Sequence, residues 1–218
     1  MRSPLGCHDP ARLEAERLSV ESLDRSLDEA LAAGAAGAPL WLFAYGPPLG
    51  GPGFAFVAKR VATIYGFHRD FCLWSRINRG TFERPGLVLS LERGGSCRGI
   101  AFRLAESTSR EELRKLWRRE MSLGSYPPRW LEGHAGPDRF PVLAFIANRH
   151  CSGYAGRLPL DEMVQSLATA RGKFGSSAEY LFQTQAALES HGIRDERVRR
   201  LAERVRAHFA RLAAPSRG

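Results

Sequence analysis

The chain has 218 residues, 44% apolar and 25% charged, the balance of an ordinary globular domain, which excludes disorder of the whole. No stretch approaches the ~18 apolar residues that cross a bilayer, and Met1–Arg12 lacks the apolar segment of a secretory signal, so a cytoplasmic protein without a membrane partner is expected. The net charge of +9 comes mostly from arginines dispersed along the chain, so a nucleic-acid footprint is not expected.

Residues 1–38 read as an N-terminal extension, helical and then flexible. Val20–Ala33 carries Leu23, Leu27, Ala30 and Leu31 on one face and stops at Gly34, and Ala32–Pro39 is an Ala/Gly/Pro linker. The main domain is expected over 39–214. Leu40–Tyr45 is almost wholly apolar, the pattern of a strand buried on both faces. It runs into Gly46-Pro47-Pro48-Leu49-Gly50-Gly51-Pro52-Gly53, which cannot be regular structure.

Four further strands are expected at Val61–Phe67, Phe71–Ser75, Leu87–Leu91 and Cys97–Leu104, with Arg93-Gly94-Gly95-Ser96 as a hairpin connection between the last two. Thr108 and Glu111 form a capping-box pattern opening a helix to about Met121. Pro141–Asn148 is another apolar strand. Helices follow at Leu160–Ala170, Ser177–Ser190 and Asp195–Leu212, the second opened by a Ser176/Glu179 capping box and closed at Gly192. In the last, Val198, Leu201, Val205 and Leu212 recur at helical spacing, which leaves most of its arginines on the solvated face. Strands first and helices last make an α+β arrangement.

The four cysteines (Cys7, Cys72, Cys97 and Cys151) include no C-x-x-C pair, so neither a disulfide framework nor a metal site is expected, and no cofactor is called for. No P-loop, G-x-G-x-x-G or G-x-S-x-G motif is present. Glu120 is the position most suggestive of chemistry. It follows Leu113, Leu116 and Trp117 at i+7, i+4 and i+3, so it shares the inward face of its helix. A carboxylate on an apolar stripe near a helix C-terminus is unfavourable on both counts, as befits a general base. A partly buried ion pair with Arg118, Arg119 or another arginine explains the position equally well.

The motifs Phe43-Ala44-Tyr45-Gly46, Gly66-Phe67-His68-Arg69-x-Phe71-Cys72, Arg79-Gly80-Thr81, Pro85-Gly86-Leu87-Val88-Leu89, Gly94-Gly95-Ser96-Cys97-x-Gly99, Trp117-x-Arg119-Glu120-Met121, Tyr126-x-Pro128-Arg129-Trp130, Ala144-Phe145-x-Ala147-Asn148, Tyr154-Ala155-Gly156 and Ala178-Glu179-Tyr180-Leu181 occur in this order. Together, over about residues 40–205, they resemble the ChaC-type, glutathione-specific gamma-glutamylcyclotransferases. The resemblance implies a small mixed β-barrel with flanking helices. It also implies a lyase that converts glutathione, or a related γ-glutamyl peptide, to 5-oxoproline and cysteinylglycine without metal or organic cofactor. By the same resemblance Glu120 is the proton acceptor, and Ala44, Tyr45, Gly46, Pro47, Pro48 and Leu49 cradle the γ-glutamyl group. Family members usually read Tyr-Gly-Ser-Leu-x-Trp at this loop. Pro47 and Pro48 supply no N–H there, which leaves open the alternative of a catalytically impaired protein that binds a γ-glutamyl or other anionic ligand. Nothing in the sequence sets the oligomeric state.

Overall fold

The computed structural model describes residues 10–34, 38–46 and 53–213. Two helices, α1 (Pro10–Ala15) and α2 (Val20–Ala32), precede a closed barrel of five strands. These are β1 (Trp41–Ala44), β2 (Ala58–Ser75), β3 (Gly86–Arg103), β4 (Pro128–Ala135) and β5 (Asp138–Phe145), joined in the order β1-β3-β2-β4-β5. Helix α3 (Ser109–Glu120) lies between β3 and β4 in sequence, and α4 (Leu160–Thr169), α5 (Ser177–Ser190) and α6 (Glu196–Ala213) complete the chain. A two-stranded sheet of β6 (Arg171–Gly172) and β7 (Gly175–Ser176) joins α4 to α5. The barrel is mixed: β1 runs antiparallel to β3 and parallel to β5.

All four residues of β1 are buried, as its unbroken apolar run requires. Trp41, Phe43, Ile64, Leu91 and Ala101 belong to one apolar cluster of the barrel. Phe71, Leu87, Leu89, Ile100 and Phe102 pack with α4, α5 and α6 in a second. Helix α6 turns Val198, Leu201, Ala202 and Val205 inward, while Arg199 pairs along the helix with Glu196 and Glu203.

Several readings of the sequence are corrected. Val61–Phe67 and Phe71–Ser75 are one strand, as are Leu87–Leu91 and Cys97–Leu104, and Arg93–Ser96 is not a hairpin turn. Gly94 and Gly95 have positive φ (97° and 69°), but Gly66 on the facing strand does too (81°). The register shifts between Tyr65 and Phe67, so both strands bend together as a bulge and continue. Thr108 does precede α3, but its side chain makes no cap hydrogen bond. Strand β4 has no counterpart among the sequence expectations.

The expected appendage is, over Val20–Ala32, part of the core. Leu23 and Leu27 are buried against Leu113, Leu116 and Trp117 of α3. The indole N–H of Trp117 donates to Ser26 Oγ (3.3 Å) and that of Trp130 to the Ala30 carbonyl (2.7 Å). The boundary near residue 38 therefore divides the sequence and not the packing.

Candidate active site

Helix α3 buries Leu113, Leu116 and Trp117, so the same face delivers Glu120 to the edge of the barrel one turn later. The Glu120 side chain keeps 27% of its exposure, and Arg119 Nε donates to its Oε1 at 2.8 Å. Both readings of this position are thus realised, an inward-facing helix end and an arginine-paired carboxylate. Among the described residues no other group hydrogen-bonds Glu120, and Oε2 stays available.

Three tyrosines gather before this carboxylate. The Tyr45 hydroxyl donates to the Phe145 carbonyl at 2.8 Å, and that of Tyr126 donates to the Leu89 carbonyl at 3.2 Å. The Tyr180 hydroxyl accepts from Leu89 N–H at 3.3 Å. The Leu89 peptide lies on a stretch of β3 beyond its pairing with β1, and the two phenols satisfy its polar groups in place of a neighbouring strand. One turn earlier, Ser177 Oγ does the same for Leu87. The capping box at Ser176 and Glu179 starts α5 at the register that aims Ser177 and Tyr180 at this edge.

Burial lifts all three phenols well above the ordinary tyrosine value. Ser90 beside Tyr45 acts the other way, and the Glu120 charge adds to the rise in each. The site is therefore an ionisable carboxylate facing neutral hydroxyls. Burial also raises the Cys72 thiol, with Asp70 and Glu92 adding to it, which disfavours the thiolate form. Among the described residues no three His, Cys, Asp or Glu side chains cluster in a way that could hold a metal ion, and no helix is long and apolar enough to cross a membrane.

Of the expected substrate-loop residues, Ala44, Tyr45 and Gly46 sit at the mouth, at the end of β1. Pro47, Pro48 and Leu49 lie outside the described residues. The ends of the loop bracket the carboxylate: a Cβ placed on Gly46 would stand 3.9 Å from Tyr180 Oη, and one on Gly53 would stand 3.5 Å from Arg119. Among the described residues the Gly46 N–H has no acceptor. This N–H, with a base and hydroxyl groups near it, belongs to the set of parts needed for proton transfer with stabilisation of a developing oxyanion. In the sequence Tyr126 and Tyr180 stand only within motifs, where no local pattern gives them a role. Arg69 and Ser90, which touch Tyr45, were not singled out either.

A family model described as ChaC-like protein matches residues 40–208. The Escherichia coli protein named glutathione-specific gamma-glutamylcyclotransferase is 34% identical over 179 residues, covering 82% of this chain and 78% of its own. Gamma-glutamylcyclotransferase 2-3 of Arabidopsis thaliana is 30% identical, covering 77% of this chain and 88% of its own. Among solved structures, the glutathione-specific enzyme from yeast aligns with a TM-score of 0.73 at 20% identity, covering 79% of this chain and 97% of the other. That likeness shows the same fold, including the mixed barrel with helices around it.

Proposed function

The chain belongs to the ChaC-like family, and from that premise we propose that it is a lyase cleaving glutathione into 5-oxoproline and cysteinylglycine, with Glu120 as base and then acid. The observation that carries this reading is the Glu120 carboxylate facing Tyr45, Tyr126 and Tyr180, with Gly46 beside Tyr180 at the start of the substrate loop. At neutral pH the substrate's α-amine is an ammonium and cannot attack. Glu120 removes one proton, and the amine then adds to its own γ-carbonyl carbon, closing a five-membered ring. The ring nitrogen gives up its second excess proton as the oxyanion so formed collapses and the bond to the cysteine nitrogen breaks, and Glu120 passes the two protons in turn to that nitrogen, which leaves as an ammonium. No water, redox partner or outside nucleophile is consumed.

The segment Ala44, Tyr45, Gly46, Pro47, Pro48 and Leu49 holds the γ-glutamyl group in this reading. With no N–H on Pro47 or Pro48, the Gly46 and Leu49 amides are the donors this stretch retains beyond Tyr45. Holding the chain folded for attack contributes as much as the base, because ring closure needs amine and carbonyl in near contact. The reaction is placed in the cytoplasm, where thiols stay reduced.

The test is product analysis with glutathione and with its N-acetylated form. Wild-type protein releases 5-oxoproline and cysteinylglycine in equal amounts from glutathione and nothing from the acetylated peptide, whose amine cannot attack. Glutamate as the product would make water the nucleophile and refute the cyclisation. Glutathione bound but unchanged would establish the impaired binding protein instead.

A further inference from the structure

The three phenols of the site differ in what becomes of their protons. A phenol has one proton to donate and lone pairs with which to accept. Tyr45 commits its proton to the Phe145 carbonyl, and Tyr126 commits its own to the Leu89 carbonyl. Tyr180 is used the other way round. Its oxygen accepts from Leu89 N–H at 3.3 Å, and its own O–H donates to no group among the described residues. One donor of the cluster is therefore uncommitted.

The Tyr180 side chain is held on several sides. The Ser176/Glu179 capping box sets the start of α5. Phe71 stands at 86° to the Tyr180 ring with 6.1 Å between centroids, and the Arg79 guanidinium lies over that ring at 5.3 Å. With Leu89 N–H on the oxygen, the freedom that remains is rotation of the O–H about its C–O bond. That oxygen lies 3.9 Å from where a Cβ on Gly46 would stand, at the start of the loop read above as holding the γ-glutamyl group. Burial and the Glu120 charge keep the phenol protonated at neutral pH, so it can lend a hydrogen bond without giving up its proton. The Leu89 N–H and the charges of Arg79 and Arg69 act the other way and strengthen it as a donor.

We propose that Tyr180 is a catalytic residue, the donor whose O–H stabilises the oxyanion formed on the γ-carbonyl oxygen. As the α-amine adds to the γ-carbonyl carbon, the π electron pair moves onto that oxygen and the Tyr180 O–H turns to it. On collapse the pair returns to re-form the carbonyl, and the bond to the cysteine nitrogen breaks with its electrons on that nitrogen. The phenolic proton stays on Tyr180 throughout. This inference rests on the cyclotransferase reading and deepens it: beside a loop in which two residues are prolines, a side chain supplies a donor. Such a bond is stronger to the oxyanion than to the ground-state carbonyl, so it acts on kcat and not on binding.

The experiment measures kcat for 5-oxoproline formation from glutathione in wild type and Tyr180→Phe. It also measures the dissociation constant of glutathione, by calorimetry, in Glu120→Gln with and without Tyr180→Phe. Tyr180→Phe should lower kcat by about 100-fold or more while changing the dissociation constant by less than about threefold. An unchanged kcat, or a loss of kcat matched by an equal loss of affinity, overturns the assignment. A fluorinated tyrosine in place of Tyr180 decides the matter if Tyr180→Phe does not fold. It keeps the ring, the hydroxyl and the Leu89 contact but ionises at lower pH, and a phenolate cannot donate. Its kcat should fall at an alkaline pH where wild type still turns over, and identical pH profiles overturn the assignment. A wild type that forms no 5-oxoproline overturns the cyclotransferase reading and this assignment together, whereas an active wild type beside an equally active Tyr180→Phe overturns the assignment alone.

Discussion

Arg69 donates through Nε to the carbonyl oxygen of Tyr45, on a side chain that is only 1% exposed. Its other nitrogens reach Asp195 and the Arg98 carbonyl, the latter at 2.8 Å. Asp195 in turn accepts from Val198 N–H at 3.1 Å and so caps α6. In a trans peptide the carbonyl and the following N–H point in opposite directions. Pinning the Tyr45 carbonyl therefore sets the direction of the Gly46 N–H.

Arg69 is thus a positioning residue. Arg69→Lys keeps the charge but cannot serve three acceptors at once, and it should lower kcat/KM by about tenfold, mainly through KM. Arg69→Met leaves the partly exposed Asp195 without this cation and should destabilise the fold by about 1–3 kcal/mol. Steady-state kinetics on the first and urea unfolding on the second check both. A lysine variant with unchanged KM would remove Arg69 from the positioning of Gly46.

Helix α2 supports the face of α3 that delivers Glu120. Leu27→Ala should cost about 2–5 kcal/mol, the usual range for a fully buried leucine, measured as a shift in unfolding midpoint. A chain beginning at Pro39 should lose stability further, because Leu113, Leu116 and Trp117 are then uncovered. Neither change touches a group that contacts substrate, so activity per folded molecule should persist below the unfolding temperature.

The buried tyrosines give a pH dependence of stability with a definite sign. Each folded-state pKa lies above its unfolded value near 10. The folded state therefore holds the phenolic protons more tightly, and this contribution is complete below pH 10. It is lost as pH rises beyond that value. Wild-type protein should lose stability steeply above pH 10, and Tyr126→Phe should flatten that slope while costing some stability at pH 7. Equal slopes for the two proteins would contradict the burial of this phenol.

The parts of the fold legible in the sequence are those set by near neighbours. The capping box at Ser176 and the stripe of Val198, Leu201 and Val205 on α6 are written within a few residues of each other, and both helices stand where their patterns place them. Glu120 was legible for the same reason, through its i+3, i+4 and i+7 relation to an apolar face. Gly94-Gly95 misled because two glycines with positive φ are also what a hairpin needs. The deciding fact is Gly66, which bends the opposite strand at the same level. Strand β4 escaped notice because it is mostly half-exposed and Glu132, Gly133 and His134 interrupt its apolar run. Its tight link to β5 through Gly136-Pro137 was the available signal. Arg69 and Glu92 act through partners distant in the chain, Tyr45 and Asp195 for the first and Arg149 and Tyr154 for the second, and local patterns carry no trace of such pairings.

The most direct test of the central claim is 5-oxoproline formation from glutathione by Glu120→Gln beside wild type. The amide preserves shape but cannot take the ammonium proton. The variant should unfold at the wild-type temperature and form 5-oxoproline at least ~100-fold more slowly. Wild-type turnover in the variant would contradict the assignment of Glu120 as the base.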